Sequence, residues 1–283
     1  MKKKVAIVGV TGSVGQEFVQ SLKDHPWFEV TQIAASERSA GKKYVDSIKD
    51  PGGIIKWEVD GEIPEYIKEM TVKTTDEINT SELDLVFSAV ESEAARDIET
   101  KLAKDVPVIS TSSAYRYEDD VPILIPGIND EQSELLEIQK KNRNWKGWVA
   151  PLPNCTTTGL AITMKPLYEK YGAKKVMMTS MQAISGGGRS PGVSAMDVTD
   201  NIIPYIPKEE EKVRKETRKI LGKLKDGKIE PADIRISCTC TRVPVIDGHT
   251  ESVFVETSQE IDPQTAKKTY EEYNKSISVM GLP

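Results

Sequence analysis

Cysteine and histidine are both scarce in this chain of 283 residues, which has three cysteines and two histidines. The cysteines are odd in number and include no C-x-x-C pair, which argues against a disulfide framework or a zinc site and suits a reducing compartment. We therefore expect a cytoplasmic protein without a bound metal. An imidazole acid or base, if there is one, must be His25 or His249.

Long hydrophobic runs and an excess of basic residues are also missing. Hydrophobic residues make up 38% of the sequence and charged residues 29%, and the formal net charge is −6. The apolar stretch at residues 5–10 is too short for a signal peptide or a membrane span. An acidic chain without basic clusters does not favour binding to nucleic acid or to a membrane surface. We expect two globular domains that bind small molecules.

A glycine-rich turn follows the first predicted strand. Residues 4–16 combine a β-branched run, three glycines spaced by three and the start of an amphipathic helix. This spacing lets backbone N–H groups approach a pyrophosphate at the helix N-terminus, although a tight strand-to-helix turn without a ligand is the alternative. The residues expected to contact a dinucleotide here are Gly9, Thr11, Gly12, Ser13, Val14 and Gly15.

The second predicted strand, residues 30–35, ends in a polar turn that bears on the choice of nucleotide. An acidic residue here would bind the ribose hydroxyls of NAD, whereas an arginine with hydroxyl neighbours would bind the 2′-phosphate of NADP. Glu37 and Arg38 are both present. Ser36 and Ser39 beside Arg38 favour NADP, and a solvated loop without a ligand remains the other interpretation.

Alternating strands and helices predict a parallel, doubly wound sheet for the first half of the chain. Further buried strands are predicted at residues 83–90 and 106–110, with a helix at 92–104 between them. Arg116 follows the strand predicted at residues 106–110, at the end of the sheet where such folds bind ligands. Pairing with neighbouring acidic residues is the alternative. We place the domain boundary near Gly147. This gives a Rossmann-like nucleotide-binding domain at residues 1–147 and a catalytic and dimerisation domain at 148–283, of α+β type with a mixed sheet.

A cysteine stands where the next helix is predicted to begin, within residues 152–162. Asn154 suits the N-cap position, and Cys155 falls in the first turn. The free N–H groups and the helix dipole at this end favour a thiolate over a thiol. Cys155 is therefore a candidate nucleophile, and a buried packing residue is the alternative.

Two β-rich runs near the end of the chain, residues 234–246 and 250–257, are joined through Asp247 and Gly248, a typical hairpin turn. A two-residue hairpin would place Arg242 and His249 on one face of a β-ribbon. His25 lies in a turn before a strand, so His249 is the plausible imidazole partner of Cys155 in acyl-thioester chemistry. Residues 185–192 predict a glycine-rich loop, and residues 207–224 predict a helix.

Five motifs, taken in order, resemble those of the aspartate-β-semialdehyde dehydrogenases of the archaeal and fungal branch. They are GVTGSVG at 9–15, AASERSAGK at 34–42, PNCT at 153–156, QAISG at 182–186 and RVPVIDGH at 242–249. The resemblance implies a homodimer or homotetramer that reduces L-aspartyl-4-phosphate to the semialdehyde with NADPH, or runs the reverse reaction with phosphate. It also implies a place in the biosynthesis of lysine, threonine, methionine and isoleucine.

The same resemblance implies roles for individual residues. Cys155 would form the acyl-enzyme thioester, His249 would act as acid and base, and Gln182 would orient the substrate. The implied substrate contacts are Asn154 in the pocket, Arg242 at the α-carboxylate, Glu209 at the amine, and Lys212 and Arg116 at the phosphate. Beyond the glycine-rich turn and residues 36–39, the implied cofactor contacts are Ser88, Ser185 and Gly186.

Two other functions remain open. A related thioester reductase, such as a malonyl-CoA reductase, would have less use for Arg242, Glu209 and Lys212. A truncated nucleotide-binding protein without turnover is the second alternative, because the resemblance implies further sheet and a nicotinamide-binding segment beyond Pro283. On that basis we expect an unpaired sheet edge or an exposed apolar face, weak binding of the nicotinamide half and low turnover.

Overall fold

The computed structural model describes residues 1–188, 192–278 and 281, and the chain divides into two compact units. The first unit comprises Met1–Val121 and Glu134–Leu152, and the second comprises Pro122–Ser133 and the chain from Pro153 onward. Part of the predicted glycine-rich loop, residues 189–191, lies outside the described residues.

A parallel sheet of five strands forms the first unit, which confirms the predicted doubly wound fold. Its strands are β1 (Lys3–Val8), β2 (Phe28–Ala34), β3 (Leu85–Ser88), β4 (Val108–Ser110) and β5 (Val149–Pro151). Their order across the sheet is β2-β1-β3-β4-β5, and every neighbouring pair is parallel. The helices of this unit are α1 (Ser13–Ser21), α2 (Tyr44–Ser47), α3 (Glu65–Lys68), α4 (Ser92–Ala103) and α5 (Glu134–Arg143).

Strand β1 is apolar along its whole second half because both of its faces are buried. Val5 and Ile7 pack into one hydrophobic cluster, and Ala6 and Val8 pack into another on the opposite face. A strand covered on both sides has no solvent face, so its sequence shows a continuous apolar run instead of alternation. The two clusters fix β1, and with it the start of the glycine-rich turn.

The boundary between the units differs from the one expected at Gly147, because residues 149–151 still belong to the first sheet. Val149 pairs with Val108 of β4. Gly147 is itself tightly packed, since a Cβ atom there would lie 2.2 Å from the carbonyl carbon of Val106. The chain leaves the first unit after Leu152, directly before the predicted helix start.

The second unit contains a mixed sheet of three strands and a separate two-stranded ribbon. The sheet strands are β6 (Ala173–Gln182), β9 (Arg235–Arg242) and β10 (Thr250–Thr257), and the ribbon is β7 (Lys223–Lys225) with β8 (Lys228–Glu230). The helices of this unit are α6 (Cys155–Tyr171), α7 (Ala195–Val198), α8 (Glu209–Ile220) and α9 (Pro263–Ser278).

The predicted hairpin between β9 and β10 is wrong. The strand order is β10-β6-β9, so β6 lies between them, parallel to β9 and antiparallel to β10. The connection after Arg242 crosses the end of β6, where the N–H groups of Ile184 and Ser185 donate to the carbonyls of Val245 and Ile246. Asp247-Gly248 is a strong local turn signal, but pairing with β6 decides which strands are neighbours.

One face of the three-stranded sheet is covered by helices and the other is open in the single chain. Val176 and Met178 of β6 pack with Leu160 of α6 in a buried cluster. On the opposite face, Met177 is 56% exposed and Phe254 of β10, directly across from it in the register, is 61% exposed. Within the described residues, none of the helices combines the length and hydropathy that crossing a bilayer would require.

A buried carboxylate links α4 to the ends of two strands in the first unit. Glu99 is fully buried, and its Oε1 accepts hydrogen bonds from Ser88 Oγ at 2.8 Å and Ser110 Oγ at 2.6 Å. Its Oε2 has no hydrogen-bond partner within the described part of the chain. Burial raises the pKa of Glu99, although the hydrogen bonds from Ser110 and Ser88 favour the charged form.

Glu99→Gln is expected to remove part of the pH dependence of stability. Because the pKa is raised in the folded state, the contribution of Glu99 is fully present below its unfolded pKa and is lost as pH rises through its folded pKa. Urea unfolding at pH 4 and pH 8 should therefore show a free energy of unfolding that falls less with pH in the variant than in the parent. An equal fall in both proteins would contradict this assignment.

Candidate active site

Cys155 is the first residue of α6, where the sequence predicts a helix start. Asn154 is the N-cap, with φ −57° and ψ 145°, and its Oδ1 accepts a hydrogen bond from the N–H of Thr157 at 3.1 Å. The thiol is exposed to solvent at the mouth of a pocket. The cap therefore fixes the backbone of the nucleophile locally, within four residues of sequence.

His249 is the residue directly before β10, and its side chain faces the thiol of Cys155. Its Nε2 lies 3.1 Å from Cys155 Sγ, and its Nδ1 accepts a hydrogen bond from the N–H of Ala183 at 3.1 Å. A ring nitrogen that accepts cannot also carry a proton, so the neutral ring holds its proton on Nε2. The imidazole is thus arranged to donate a hydrogen bond to the sulfur.

Ionisation of this pair differs from the expectation drawn from the helix start. Burial is the largest cause that raises the pKa of Cys155 above its ordinary value, and the negative charge of Glu209 is the next. A hydrogen bond from the N–H of Thr156 has a weaker, lowering effect on this pKa. Burial, and then the positive charge of Arg242, lowers the pKa of His249, against weaker effects of Glu209 and the Gly248 carbonyl. Desolvation disfavours both charged forms. Both shifts therefore oppose a thiolate–imidazolium pair in the free chain.

Arg242 and His249 do converge, although not through a hairpin. A Cβ atom placed on Gly186 would lie 3.0 Å from Arg242 Nη1 and 3.4 Å from His249 Cε1. Arg242 is buried at the end of β9, and its Nη1 donates to the carbonyl of Ala183 at 2.7 Å. The two side chains approach each other because β9 and β10 lie on either side of β6, and Gly186 leaves the space between them open.

Two glutamates of α8, seven residues apart and so on the same side of the helix, hold Asn154. Glu209 Oε1 accepts from Asn154 Nδ2 at 2.7 Å, and Glu216 Oε2 accepts from the backbone N–H of Asn154 at 2.7 Å. Lys212 Nζ lies 3.4 Å from Glu209 Oε2. Asn154 Nδ2 also lies 3.9 Å from Cys155 Sγ. Helix α8 therefore positions the nucleophile through its cap residue.

Gln182, Ser185 and Gly186 lie at the same end of the sheet. Gln182 ends β6 next to Arg242 in the register, and its buried side-chain amide donates to Ser180 Oγ at 3.1 Å. Ser185 and Gly186 are exposed in a short 3-10 helix, Ile184–Gly187. The roles of these three residues in orienting the substrate and binding the nicotinamide stay predictions.

A pocket of about 540 Å³ opens beside the thiol. Cys155, Gly159 and Thr163 of α6 line one wall, and Gly248, His249 and Glu251 line the other. Glu251 lies close to Gly159, since a Cβ atom added at Gly159 would be 3.1 Å from Glu251 Oε1. Burial raises the pKa of Glu251 to about 7. The pocket is large enough for a small acyl substrate and carries a carboxyl group that titrates near neutrality.

The glycine-rich turn of the first unit has the geometry of a pyrophosphate site. Gly9 has φ +83°, and a Cβ atom there would lie 2.5 Å from the Ala89 carbonyl oxygen. A Cβ atom on Gly15 would lie 2.2 Å from the Gly9 oxygen, whereas the nearest atom to one on Gly12 is 3.7 Å away. Among the described residues, no side chain caps α1. Its free N–H groups and the open space at Gly12 fit a phosphate.

The other residues predicted to bind the nucleotide divide into two groups. Ser36 and Arg38 are exposed in a turn after β2, next to the glycine-rich turn because the N–H of Gly9 bonds to the carbonyl of Ala34. Thr11, Ser13 and Val14 are at least partly exposed, but Ser39 is buried. Ser88 is also buried, its hydroxyl donates to Glu99, and its carbonyl accepts from the N–H of Thr111 at 3.0 Å, so its contact with the cofactor stays a prediction.

Arg116 lies in the first unit, shortly after the end of β4. It is 6% exposed, and its Nη2 donates to the carbonyl of Thr111 at 3.0 Å. The phosphate-binding role of Arg116 stays a prediction. In the second unit, the structure brings together six of the predicted site residues: Cys155, His249, Asn154, Arg242, Glu209 and Lys212.

Sequence reasoning missed three groups of this site. The N–H of Ala183 orients His249, the carboxylate of Glu216 holds Asn154, and Glu251 lines the pocket. Glu216 could have been found from the sequence, because it lies seven residues after Glu209 and residues at that spacing share a helix face. A backbone N–H carries no sequence signal.

Two family models match this chain. The semialdehyde dehydrogenase NAD binding domain matches residues 4–136, and the semialdehyde dehydrogenase dimerisation domain matches residues 164–281.

Full-length relatives agree with the family models. Aspartate-semialdehyde dehydrogenase from Archaeoglobus fulgidus is 45% identical over 284 aligned positions, which cover 100% of this chain and 79% of the relative. Malonyl CoA reductase (NADP) from Metallosphaera sedula is 34% identical, over 99% of this chain and 77% of that relative. A crystal structure of aspartate semialdehyde dehydrogenase with NADP from Candida albicans superposes with a TM-score of 0.83 at 38% identity, covering 94% of this chain and 75% of that one. The chain belongs to the aspartate-semialdehyde dehydrogenase family.

Proposed function

We propose that this chain reduces L-aspartyl-4-phosphate to L-aspartate-4-semialdehyde with NADPH, and runs the reverse reaction with phosphate, through a thioester on Cys155. The observation that carries the proposal is the placement of Cys155 Sγ at a helix start, 3.1 Å from His249 Nε2. A nucleophile and a proton donor in contact are what acyl transfer through sulfur requires. The biosynthesis of lysine, threonine, methionine and isoleucine is the proposed pathway.

The Cys155 thiol loses its proton to solvent, the resulting thiolate attacks the acyl carbon, the bond to phosphate breaks with phosphate as the leaving group, and a thioester forms. When bound, NADPH supplies the hydride that reduces an acyl group to an aldehyde. The N–H at His249 Nε2 can donate a hydrogen bond to the acyl oxygen while that oxygen carries negative charge, and the charge passes to sulfur when the C–S bond breaks to release the aldehyde and the Cys155 thiolate. The N–H of Ala183 keeps Nε2 directed at the reacting atoms throughout.

Two charged groups suit the amino-acid part of the substrate. Arg242 is a buried guanidinium that can bind a carboxylate through paired N–H groups. Glu209 is a buried carboxylate that can pair with an ammonium group, and Lys212 beside it can attract phosphate. A guanidinium and a carboxylate near the same thiol favour a zwitterion over an acyl group without an amine.

An assay of the intact chain tests the proposal. We expect NADP reduction that requires both L-aspartate-4-semialdehyde and inorganic phosphate, and acid-quenched enzyme should carry an acyl adduct on Cys155 by mass spectrometry. The control replaces the semialdehyde with one that lacks the amine. Turnover without phosphate dependence would contradict the proposal.

Reduction of malonyl-CoA is a second candidate, supported by the similarity to the Metallosphaera sedula enzyme. Malonyl-CoA has a carboxylate for Arg242 but no ammonium for Glu209. It would leave a buried carboxylate without its ligand partner, which is unfavourable. An assay of NADPH oxidation with either L-aspartyl-4-phosphate or malonyl-CoA as the acyl donor distinguishes the two, and we expect much lower turnover with malonyl-CoA.

The chain belongs to a family with a dimerisation domain, and we infer that it forms a homodimer. The exposed pair Met177 and Phe254, on the face of the sheet away from the helices, supports this face as the contact between subunits. Light scattering of the parent and of Phe254→Glu tests the inference, and a homotetramer is the other possible result.

The three free thiols suit the cytoplasm as the compartment.

Arg38→Ala is expected to weaken binding of NADP by about tenfold or more while changing NAD binding little. The reason is that the 2′-phosphate is present in NADP alone, and Arg38 is exposed in the turn after β2. Calorimetric titration with each nucleotide measures the difference. Glu37→Ala is the matched control, and it should not weaken NADP. Equal loss for both nucleotides in Arg38→Ala would contradict the assignment.

A further inference from the structure

Glu209 places a buried negative charge beside the nucleophile before any substrate is bound. We propose that this charge suppresses ionisation of Cys155 in the ligand-free protein, and that the ammonium group of an amino-acid substrate relieves the suppression by pairing with Glu209. The inference rests on the proposed function for the identity of that substrate. Its consequence is that an acyl donor without an amine would meet a thiol in place of a thiolate.

A single amide group connects the carboxylate to the sulfur. Asn154 Nδ2 lies 2.7 Å from Glu209 Oε1 and 3.9 Å from Cys155 Sγ, so the two acceptors lie within two hydrogen-bond lengths of each other. Glu209 is 5% exposed and Asn154 is 7% exposed. Because Glu209 and the bridging Asn154 are buried, the carboxylate acts on the sulfur more strongly than one fully exposed group acts on another at the same distance.

The charge of Glu209 acts on both members of the catalytic pair. After burial, it is the largest cause that raises the pKa of Cys155, and it also favours the protonated form of His249. A thiolate therefore has to form close to the carboxylate of Glu209. Neutralising that carboxylate would let the thiol lose its proton to solvent at a lower pH.

Other charged or titratable groups lie near Cys155, Asn154 and Glu209. They are Lys212 and Glu216 on α8, Arg242 on β9, His249 directly before β10, and Glu251 within β10. Lys212 is 3.4 Å from Glu209 Oε2, but its side chain is partly exposed, so solvent screens its charge. Glu251 lines the pocket beside the thiol, and with its pKa raised to about 7 by burial it carries a negative charge above that pH.

A zwitterionic ligand could pair one of its charged groups with Glu209 and the other with Arg242. Its ammonium group would cancel the effect of Glu209, and its carboxylate would cancel the effect of Arg242, which lowers the pKa of His249. A ligand with a carboxylate alone would leave Glu209 unopposed and would add negative charge to the site. The amine is thus the part of the ligand that favours the thiolate.

The test is the rate of alkylation of Cys155 by iodoacetamide as a function of pH, on the full chain without added nucleotide. Cys155→Ser serves as the blank for reaction at Cys238 and Cys240. Glu209→Gln keeps the acceptor for Asn154 and removes the charge, and it should react about tenfold faster than the parent below the alkylation midpoint. Glu211→Gln removes a more exposed charge from the same helix turn and should match the parent.

A second comparison uses the parent protein, so it does not depend on how Glu209→Gln folds. L-2-aminobutyrate should shift the alkylation midpoint to lower pH, whereas butyrate, which has no amine, should not. In Glu209→Gln the two ligands should no longer differ. A shift that persists in that variant would come from another group, such as Glu251, and would overturn the proposal.

The outcomes separate this inference from the proposed function. Equal midpoints for the parent, Glu209→Gln and Glu211→Gln would overturn the suppression by Glu209, even if the semialdehyde is a good substrate. Equal effects of aminobutyrate and butyrate on the parent would overturn the role of the amine. Absence of semialdehyde turnover would contradict the proposed function, while a faster Glu209→Gln would still support the suppression.

Discussion

Replacing Cys155 with serine is expected to lower semialdehyde turnover by about 10⁴-fold or more while the fold is kept. The substitution is nearly isosteric, and the N-cap bond from Asn154 Oδ1 to the Thr157 N–H does not involve the sulfur. A serine hydroxyl ionises far less readily than a thiol, so His249 would face a poor nucleophile. Steady-state assay and mass spectrometry of the quenched enzyme measure the loss of turnover and of the acyl adduct.

Cys238→Ser is the matched control for this prediction. Cys238 is buried in β9, and its Sγ lies 3.5 Å from the carbonyl of Glu210, which a serine hydroxyl can also reach. Its turnover should stay close to that of the parent. Parental turnover in Cys155→Ser, with an unchanged unfolding transition, would show that another group is the nucleophile.

Gly15→Ala and Gly12→Ala are expected to differ in the size of their effect on stability and to have the same effect on nucleotide binding. A methyl group on Gly15 would lie 2.2 Å from the Gly9 oxygen and 2.8 Å from Val10 Cα, and backbone at this distance cannot move aside cheaply. We expect a loss of about 3 kcal/mol in the free energy of unfolding. Gly12 has φ −77° and ψ 163°, which alanine adopts, and open space around its missing Cβ, so Gly12→Ala should lose less than about 1 kcal/mol.

Both variants should bind NADP and NAD at least about tenfold more weakly, because the backbone at both positions has to approach the pyrophosphate. Urea unfolding gives the stabilities, and calorimetric titration gives the affinities. Gly12→Ala is the informative variant, since a folded protein that has lost nucleotide affinity locates the phosphates at this turn. Parental affinity in Gly12→Ala would place the pyrophosphate elsewhere.

Local signals predicted the parts of the site that are local in sequence. The cap residue, the cysteine after it and the glycine-rich turn each depend on backbone geometry within a few residues. Asn154 and Cys155 lie where the sequence places them, and the turn at Gly9 has the positive φ angle that glycine permits. These features follow from capping and from steric limits on φ, which a single sequence displays.

Strand neighbours and ionisation could not be predicted in the same way. The turn signal at Asp247 and Gly248 is real, but β6 takes the place between β9 and β10 because it can pair with both. The thiolate expected from the helix start at Cys155 is opposed by burial and by Glu209, which is 54 positions along the chain from that residue. Both corrections come from groups distant in sequence, and no local pattern records them.

The position of β6 between its two partners has a consequence for the order in which the site can assemble. Asn154 caps α6 through a bond spanning three residues, whereas Arg242 reaches Ala183 across 59 residues and His249 reaches Cys155 across 94. Closing such loops is slow compared with forming a helix turn. A refolding chain should therefore present its thiol to solvent, and to any oxidant, before the imidazole reaches it, so recovery of active protein from denaturant should depend on a reducing agent.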